Sequence, residues 1–197
     1  MIVNITQAEF GILGDKNKRI FDEYLSVSGN DKSFPEKKKA ELGFYFNIFR
    51  SQHDISLKDI PDYIIDGDFN REILGENNDD LGIDAYYVDE ENGIIYLYNF
   101  KYRHEFNINS QMNPKVLSDV SSFLGALKIL KEKNREHKLS KYDLQKYSRK
   151  TAGVLEELAG ILAEIGATFK IYLVFVSNNM KQLSVKSDEK NICQSVE

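Results

Sequence analysis

The chain has 197 residues, 42% apolar and 29% charged, which suits a globular protein about one domain long and excludes a disordered one. Its single cysteine, Cys193, excludes an internal disulfide and a thiolate metal cluster and points to a reducing, cytoplasmic setting. No apolar run approaches a membrane span, the N-terminus has no secretory signal, and a net charge of -5 argues against a dedicated nucleic-acid binder.

In chain order, residues 15–26 suit a short helix with Ile20, Phe21, Tyr24 and Leu25 on one side. "VSGNDKSF" is a loop by composition. A stronger helix spans 35–52, with Ser33 a candidate N-cap near Pro35 and Leu42, Tyr45, Phe46 and Phe49 at helical spacing. "SLKD" adds one turn ending near Pro61, and "DYIIDG" reads as a short strand. Residues 82–89 and 94–103 form a hairpin turning at Asn92-Gly93. Asn113-Pro114 opens a helix with an apolar stripe of Val116, Leu117, Val120, Phe123, Leu124, Leu127 and Leu130. Ser140 to Asp143 resembles a capping box and starts a long helix running to about Ile165. Its inward positions are Leu144, Tyr147, Val154, Leu155, Leu158, Ile161, Leu162 and Ile165. "TFKIYLVFVS" reads as a buried strand that pairs with the hairpin, and a polar tail follows over 178–197. The order predicts an α/β sandwich with parallel and antiparallel pairing.

Charge is unevenly distributed. Thirteen acids lie between Asp54 and Glu91 against Lys58 and Arg71, and nine Lys or Arg lie between Lys128 and Lys150 against three acids. The plain reading is two solvated faces. The sharper one is a cation site beside a phosphate-tracking surface, with Lys128, Lys131, Lys133, Arg135, Lys138 and Lys141 as its nucleic-acid contacts.

The hairpin "DDLGIDAYYVDEENGIIYLYNFKYR" carries the chemistry. Alternation puts Asn99 and Lys101 on one face and Phe100 in the core. Equal arms about Asn92-Gly93 set Asp84 opposite residue 101 or 102, so Asp84, Asn99 and Lys101 meet at the open end. A carboxylate and a carbonyl oxygen are hard ligands for Mg²⁺ or Mn²⁺, and an ammonium can orient a water or offset phosphate charge. The bland reading of the same residues is a surface salt bridge between Asp84 and Lys101.

This stretch resembles the PD-(D/E)XK nuclease superfamily, and more narrowly the N-terminal domain of the AIPR (abortive infection, phage resistance) family, with its Mrr-like pattern. The matching residues are Asp80-Leu81-Gly82-Ile83-Asp84-Ala85 and Tyr98-Asn99-Phe100-Lys101-Tyr102. The resemblance spans about 15–177 and implies a restriction-endonuclease-like mixed sheet flanked by helices, an α-β-β-β-α-β core. It implies one domain over 1–177, helical over 1–60 and α/β over 61–177. Family members are longer, which implies a further domain beyond the tail. It also implies Mg²⁺- or Mn²⁺-dependent cleavage of DNA in bacterial phage defence. Asp84 matches the metal aspartate, Lys101 the catalytic lysine, and Asp80 the acid ahead of Gly-Ile-Asp. Asn99 stands where the family has Glu or Gln, with the Phe100 backbone carbonyl as a further metal contact. Glu41 is the candidate for the family's helix glutamate, with Glu36 next. Leu81 replaces a family glycine.

Other patterns are rejected. Asp66, Asp68 and Asn70 have EF-hand spacing, but Arg71 and Asn77 stand where that loop needs Gly and Glu. No phosphate-binding glycine loop and no paired-histidine zinc motif occurs. The alternatives to an enzyme are a nuclease-fold module binding nucleic acid or a partner protein, and an assembly domain dimerising through the helix at 141–165.

Overall fold

A computed structural model describes residues 6–107, 115–164 and 168–178. Asn113-Pro114, the side chains of Val116 and Leu117, Ile165, Cys193 and the tail beyond Asn178 lie outside the described residues. The chain divides into two compact units. The first comprises Met1–Ile64, Phe100–Met112 and Phe175–Leu183, and the second Ile65–Asn99, Asn113–Val174 and Ser184–Glu197.

In the first unit, α1 (Gln7–Ser28) is longer than the short helix expected over 15–26. Its start is fixed by a capping box, in which Thr6 Oγ1 accepts from the Glu9 N–H and the Glu9 carboxylate accepts from the Thr6 N–H at 2.7 Å. It stops at Gly29, whose left-handed φ of 66° closes the last turn. α2 (Glu36–His53) falls where the sequence puts it, but the N-cap position belongs to Pro35, with no side-chain cap from Ser33. The two helices bury an aromatic cluster of Phe21, Tyr24, Phe34 and Phe46, with Phe21 edge-on to Phe34 at 5.2 Å between ring centres. Phe100 joins the same unit against Phe44, Tyr45 and Phe49. Among these rings Asn47 donates to Asn17 Oδ1 at 3.0 Å, a buried polar tie between the helices.

The strand expected at "DYIIDG" does not form. Pro61 enters a one-turn helix, α3 (Ile60–Tyr63), because its fixed φ suits a first turn, and Ile64 makes an isolated bridge. Asp66 then caps α4 (Gly67–Ile73), its carboxylate accepting from the Phe69 N–H at 2.6 Å. The expected α-β-β-β-α-β core therefore lacks its first strand.

The sheet contains β1 (Ala85–Asp89), β2 (Ile94–Lys101) and β3 (Lys170–Ser177) in that order. β1 and β2 pair antiparallel with Ala85 opposite Tyr98 and Asp89 opposite Ile94. The turn is thus a four-residue loop over 90–93, in which Asp89 accepts from the Asn92 N–H and side-chain amide and Gly93 takes a left-handed φ of 63°. This loop shifts the register from the one expected, and Asp84 lies at the end of the ladder beside Tyr98, not opposite Lys101. Lys170 donates to the Gly93 carbonyl and Tyr172 stacks on Tyr96, so β3 ascends with β2 and the sheet is mixed. β3 pairs beside the hairpin as expected, but as an edge strand it is half-exposed, not buried, and Tyr172 is 47% exposed.

α5 (Lys115–Arg135) packs on α7 (Arg149–Ala163) through Val120, Phe123, Leu127, Val154, Leu155 and Leu158. The single long helix expected from Ser140 is broken. Its capping box starts only the one-turn α6 (Lys141–Leu144), and a fresh start at Ser148 opens α7. Ser148 and Thr151 spend their hydroxyls on the loop at 78–79, and that tie sets the start of α7.

Gly43 lies where α1 and α2 approach closely: a Cβ there would stand 2.0 Å from the Asn17 carbonyl oxygen. Backbone on both sides leaves no side chain to yield. Gly43→Ala should therefore lower unfolding free energy by about 2 kcal/mol or more, measured by urea titration. An unchanged midpoint would show that the helices do not cross at this distance.

Candidate metal centre

The second unit assembles three carboxylates from separate stretches of chain. Asp66 is the N-cap of α4, Asp80 stands in the loop before β1, and Asp84 immediately precedes β1. One oxygen from each lies within 4.8 Å of the others, so the triad could hold a metal ion.

Backbone bonds fix the stretches that carry them. The Asp84 carbonyl accepts from the Ile65 and Asp66 N–H groups, both at 2.8 Å, and the Asp84 N–H donates to the Tyr98 carbonyl at 2.8 Å. The Asp80 carboxylate accepts from the Gly82 N–H at 2.8 Å and from the Gly67 N–H at 3.3 Å. Gly67 is required at that point, since a Cβ would meet the Asn78 carbonyl oxygen at 2.5 Å. Asn78 clamps the loop from the other side: its amide bonds the Ile65 carbonyl, and it exchanges hydrogen bonds with Ser148 and Thr151 at the start of α7.

Asn99 is 2% exposed and donates from Nδ2 to the Gly82 carbonyl at 2.9 Å, so its amide lies against the loop that carries Asp80 and Asp84. Its Oδ1 is buried with no hydrogen-bond partner among the described residues. Buried acceptors are rarely left so, because desolvation without a partner costs about 1–3 kcal/mol. Three clustered carboxylates and a buried carbonyl oxygen in that state are all oxygen donors of the kind a hard divalent cation takes. Carboxylates this close would repel when ionised, by about 3.5 kcal/mol per pair at an effective dielectric of about 20, and a cation would relieve that repulsion.

Of the residues singled out from sequence, Asp80 and Asp84 meet in the triad, and Asn99 bonds the loop between them at Gly82. Asp66, discounted with the EF-hand spacing, is the third carboxylate. The acid-rich run from Asp54 to Glu91 holds the signal, but spacing alone does not bring residue 66 to residue 84. Lys101 is the half-buried last residue of β2 and, like Phe100 and Glu41, belongs to the first unit. Glu41 pairs there with Lys38 at 3.2 Å and with His104 at 3.4 Å. Burial, and then the Glu41 charge, push the Tyr102 hydroxyl above its ordinary range. Among the six cations expected to meet nucleic acid, Lys133 pairs with Asp143, Arg135 with Glu132 and Lys138 with Glu136. Lys128 is exposed on α5, Lys131 is half-buried, and Lys141 lies over the Tyr142 ring.

No protein-family profile, curated protein or solved structure matches the chain. Among the described residues no helix is long and apolar enough to cross a membrane.

The triad and the turn beside it can each be tested. Mn²⁺ at a hundred times its dissociation constant should stabilise the protein by about 2.7 kcal/mol, read as a rise in melting temperature that EDTA reverses and Asp84→Asn removes. An equal rise in the Asp84→Asn variant would place the ion elsewhere. Leu81, in the turn before Asp84, holds a left-handed φ of 53°. That conformation costs a branched side chain about 1–2 kcal/mol. Leu81→Gly should relieve it and stabilise the protein by up to about 1 kcal/mol after the added freedom of the unfolded chain. A loss of stability would mean that the Leu81 side chain contributes more than its backbone strain costs.

Proposed function

We propose that the chain is a nuclease-like domain of the PD-(D/E)XK type, resembling the AIPR family, that cleaves DNA phosphodiester bonds with Mg²⁺ or Mn²⁺ in defence against phage. The observation that supports this most is the convergence of Asp66, Asp80 and Asp84. In this reading the three aspartates and Asn99 Oδ1 hold the ion. When bound, the ion supplies Lewis acidity and a water of lowered pKa. The backbone bonds at Asp84 and those to the Asp80 carboxylate keep the ligands in place before it arrives, so little reorganisation is left to the reaction itself. Lys101 stands at the motif position of the catalytic lysine, to which the resemblance gives the part of offsetting charge on the phosphate.

A binding module is the second reading, and the Asn99 amide favours it. Its Nδ2 is used to tie the loop at Gly82, a structural task that needs no catalysis.

Plasmid nicking should appear with Mg²⁺ or Mn²⁺, vanish with EDTA, and fall to background in Asp84→Asn and Lys101→Ala. Persistent DNA binding without cleavage, in every metal, would favour the module. DNA affinity should also weaken with salt. With Lys133, Arg135 and Lys138 kept in their ion pairs, the log–log slope from the remaining three cations is about -3, at about -0.9 per phosphate. A flat dependence would make these lysines solubilising charge.

A further inference from the structure

Two of the three carboxylates sit on stretches that one side chain joins. Asn78 donates from Nδ2 to the carbonyl of Ile65, the residue before Asp66, and to Thr151 Oγ1 at 3.0 Å. Its Oδ1 accepts from Ser148 Oγ. Its main chain stands against Gly67, the residue after Asp66, so closely that a Cβ there would lie 2.5 Å from the Asn78 carbonyl oxygen. Asp80 follows two residues later, and its carboxylate accepts from the Gly67 N–H at 3.3 Å. Asn78 thus holds both neighbours of Asp66 against the loop that carries Asp80. The far side of this clamp is α7. Ser148 stands at the N-cap of α7, but its side chain does not cap the helix. The hydroxyl goes to Asn78 instead, and the Asp79 N–H donates to it at 3.1 Å. Thr151, wholly buried, donates to the Asp79 carbonyl at 2.6 Å. A helix start ordinarily gains from a serine that caps its own N–H groups. Here those polar groups are spent on the position of residues 78 and 79.

We infer that Asn78 is a positioning residue of the metal centre, whose amide fixes the separation of the stretches carrying Asp66 and Asp80 and so selects a small dication over Ca²⁺. The inference rests on the metal reading of the triad. Asn78 acts through the Ile65 carbonyl and the Gly67 main chain that flank Asp66. Mg²⁺ demands near-ideal octahedral geometry with oxygens at about 2.0–2.1 Å, and Mn²⁺ shares the octahedral preference. Ca²⁺ accepts six to eight oxygens at about 2.3–2.6 Å in flexible arrangements. A fixed spacing of the ligand stretches therefore matters to the smaller ions and little to Ca²⁺.

The test uses the whole chain, titrated in a calorimeter with Mn²⁺ and, separately, with Ca²⁺. The wild type should bind Mn²⁺ more tightly than Ca²⁺. Asn78→Ala should bind Mn²⁺ at least about tenfold more weakly, the usual loss when a group that orients metal ligands is removed, and should keep most of its Ca²⁺ affinity. Thr151→Val cuts the same clamp from the side of α7 and should lower the Mn²⁺ to Ca²⁺ ratio in the same direction. Thr151→Ser keeps the hydroxyl and should bind both ions as the wild type does, so this pair decides the outcome if Asn78→Ala does not fold. Val154→Ala, a core truncation on α7 in the same unit, should melt lower yet keep the wild-type ratio, which separates positioning from loss of stability alone. Unchanged Mn²⁺ affinity in folded Asn78→Ala, an equal fall for the two ions, or the same change of ratio in Val154→Ala would overturn the role of Asn78 and leave the metal centre standing. So would a wild type that binds Ca²⁺ as tightly as Mn²⁺. Failure of the wild type to bind Mn²⁺, or equal Mn²⁺ binding by Asp84→Asn, would instead overturn the metal reading and this inference with it.

Discussion

The arrangement of the second unit depends on the peptide groups of Asp84. Its carbonyl accepts two N–H groups, from Ile65 and Asp66, and its own N–H reaches the Tyr98 carbonyl. These bonds join the segment before α4, the loop before β1 and the central strand β2 at one residue. The side chain of Asp84 is then brought to Asp66 and Asp80 by main-chain geometry that no side-chain preference could enforce. Backbone groups buried at such a junction must be paired, so the junction is specified twice, by the hydrogen bonds and by the burial of Ile65, Ile83 and Ala85 around them.

That constraint explains which parts of the fold are legible in sequence. α2, α5 and the hairpin carry long periodic patterns or a strong turn dipeptide, and each lies close to where the pattern puts it. The early start of α1 is also written in the sequence, in the Thr6 and Glu9 pair, but the apolar stripe begins later and draws the boundary inward. The segment at 62–67 misleads because Ile64 and Ile65 are buried by contacts and backbone bonds that a strand-like apolar pair does not distinguish from a sheet. The break at 145–148 is hidden for a related reason. Helical spacing continues through Leu144 and Tyr147, and only the tertiary ties of Ser148 and Thr151 to residues 78 and 79 interrupt it.

The candidate site is half legible. Asp80, Asp84 and Asn99 stand out because they lie on one hairpin and its approach, where alternation and register can be counted. The count is off by the length of the turn: a four-residue loop moves Asp84 toward Tyr98 and Asn99. Asp66 does not stand out because it reaches the same place through a helix start. It looks like an ordinary N-cap, and that role is not wrong.

Asp66 also bears on the amide at 99. The pattern that the hairpin resembles has an acid or glutamine at that position, and the chain has the shorter asparagine, whose nitrogen is committed to Gly82. Counted along the hairpin alone, the centre is short of charge. Counted in space it is not, since the N-cap of α4 brings a third carboxylate within 4.8 Å of the other two. A further carboxylate at 99 would put a charge in a position 2% exposed, where charge is costly. An amide there avoids that cost. The neutral residue on the strand and the acid on the helix cap are thus compatible parts of one charge arrangement, and whether three carboxylates could hold a cation depends on the helix cap and not on the strand motif alone.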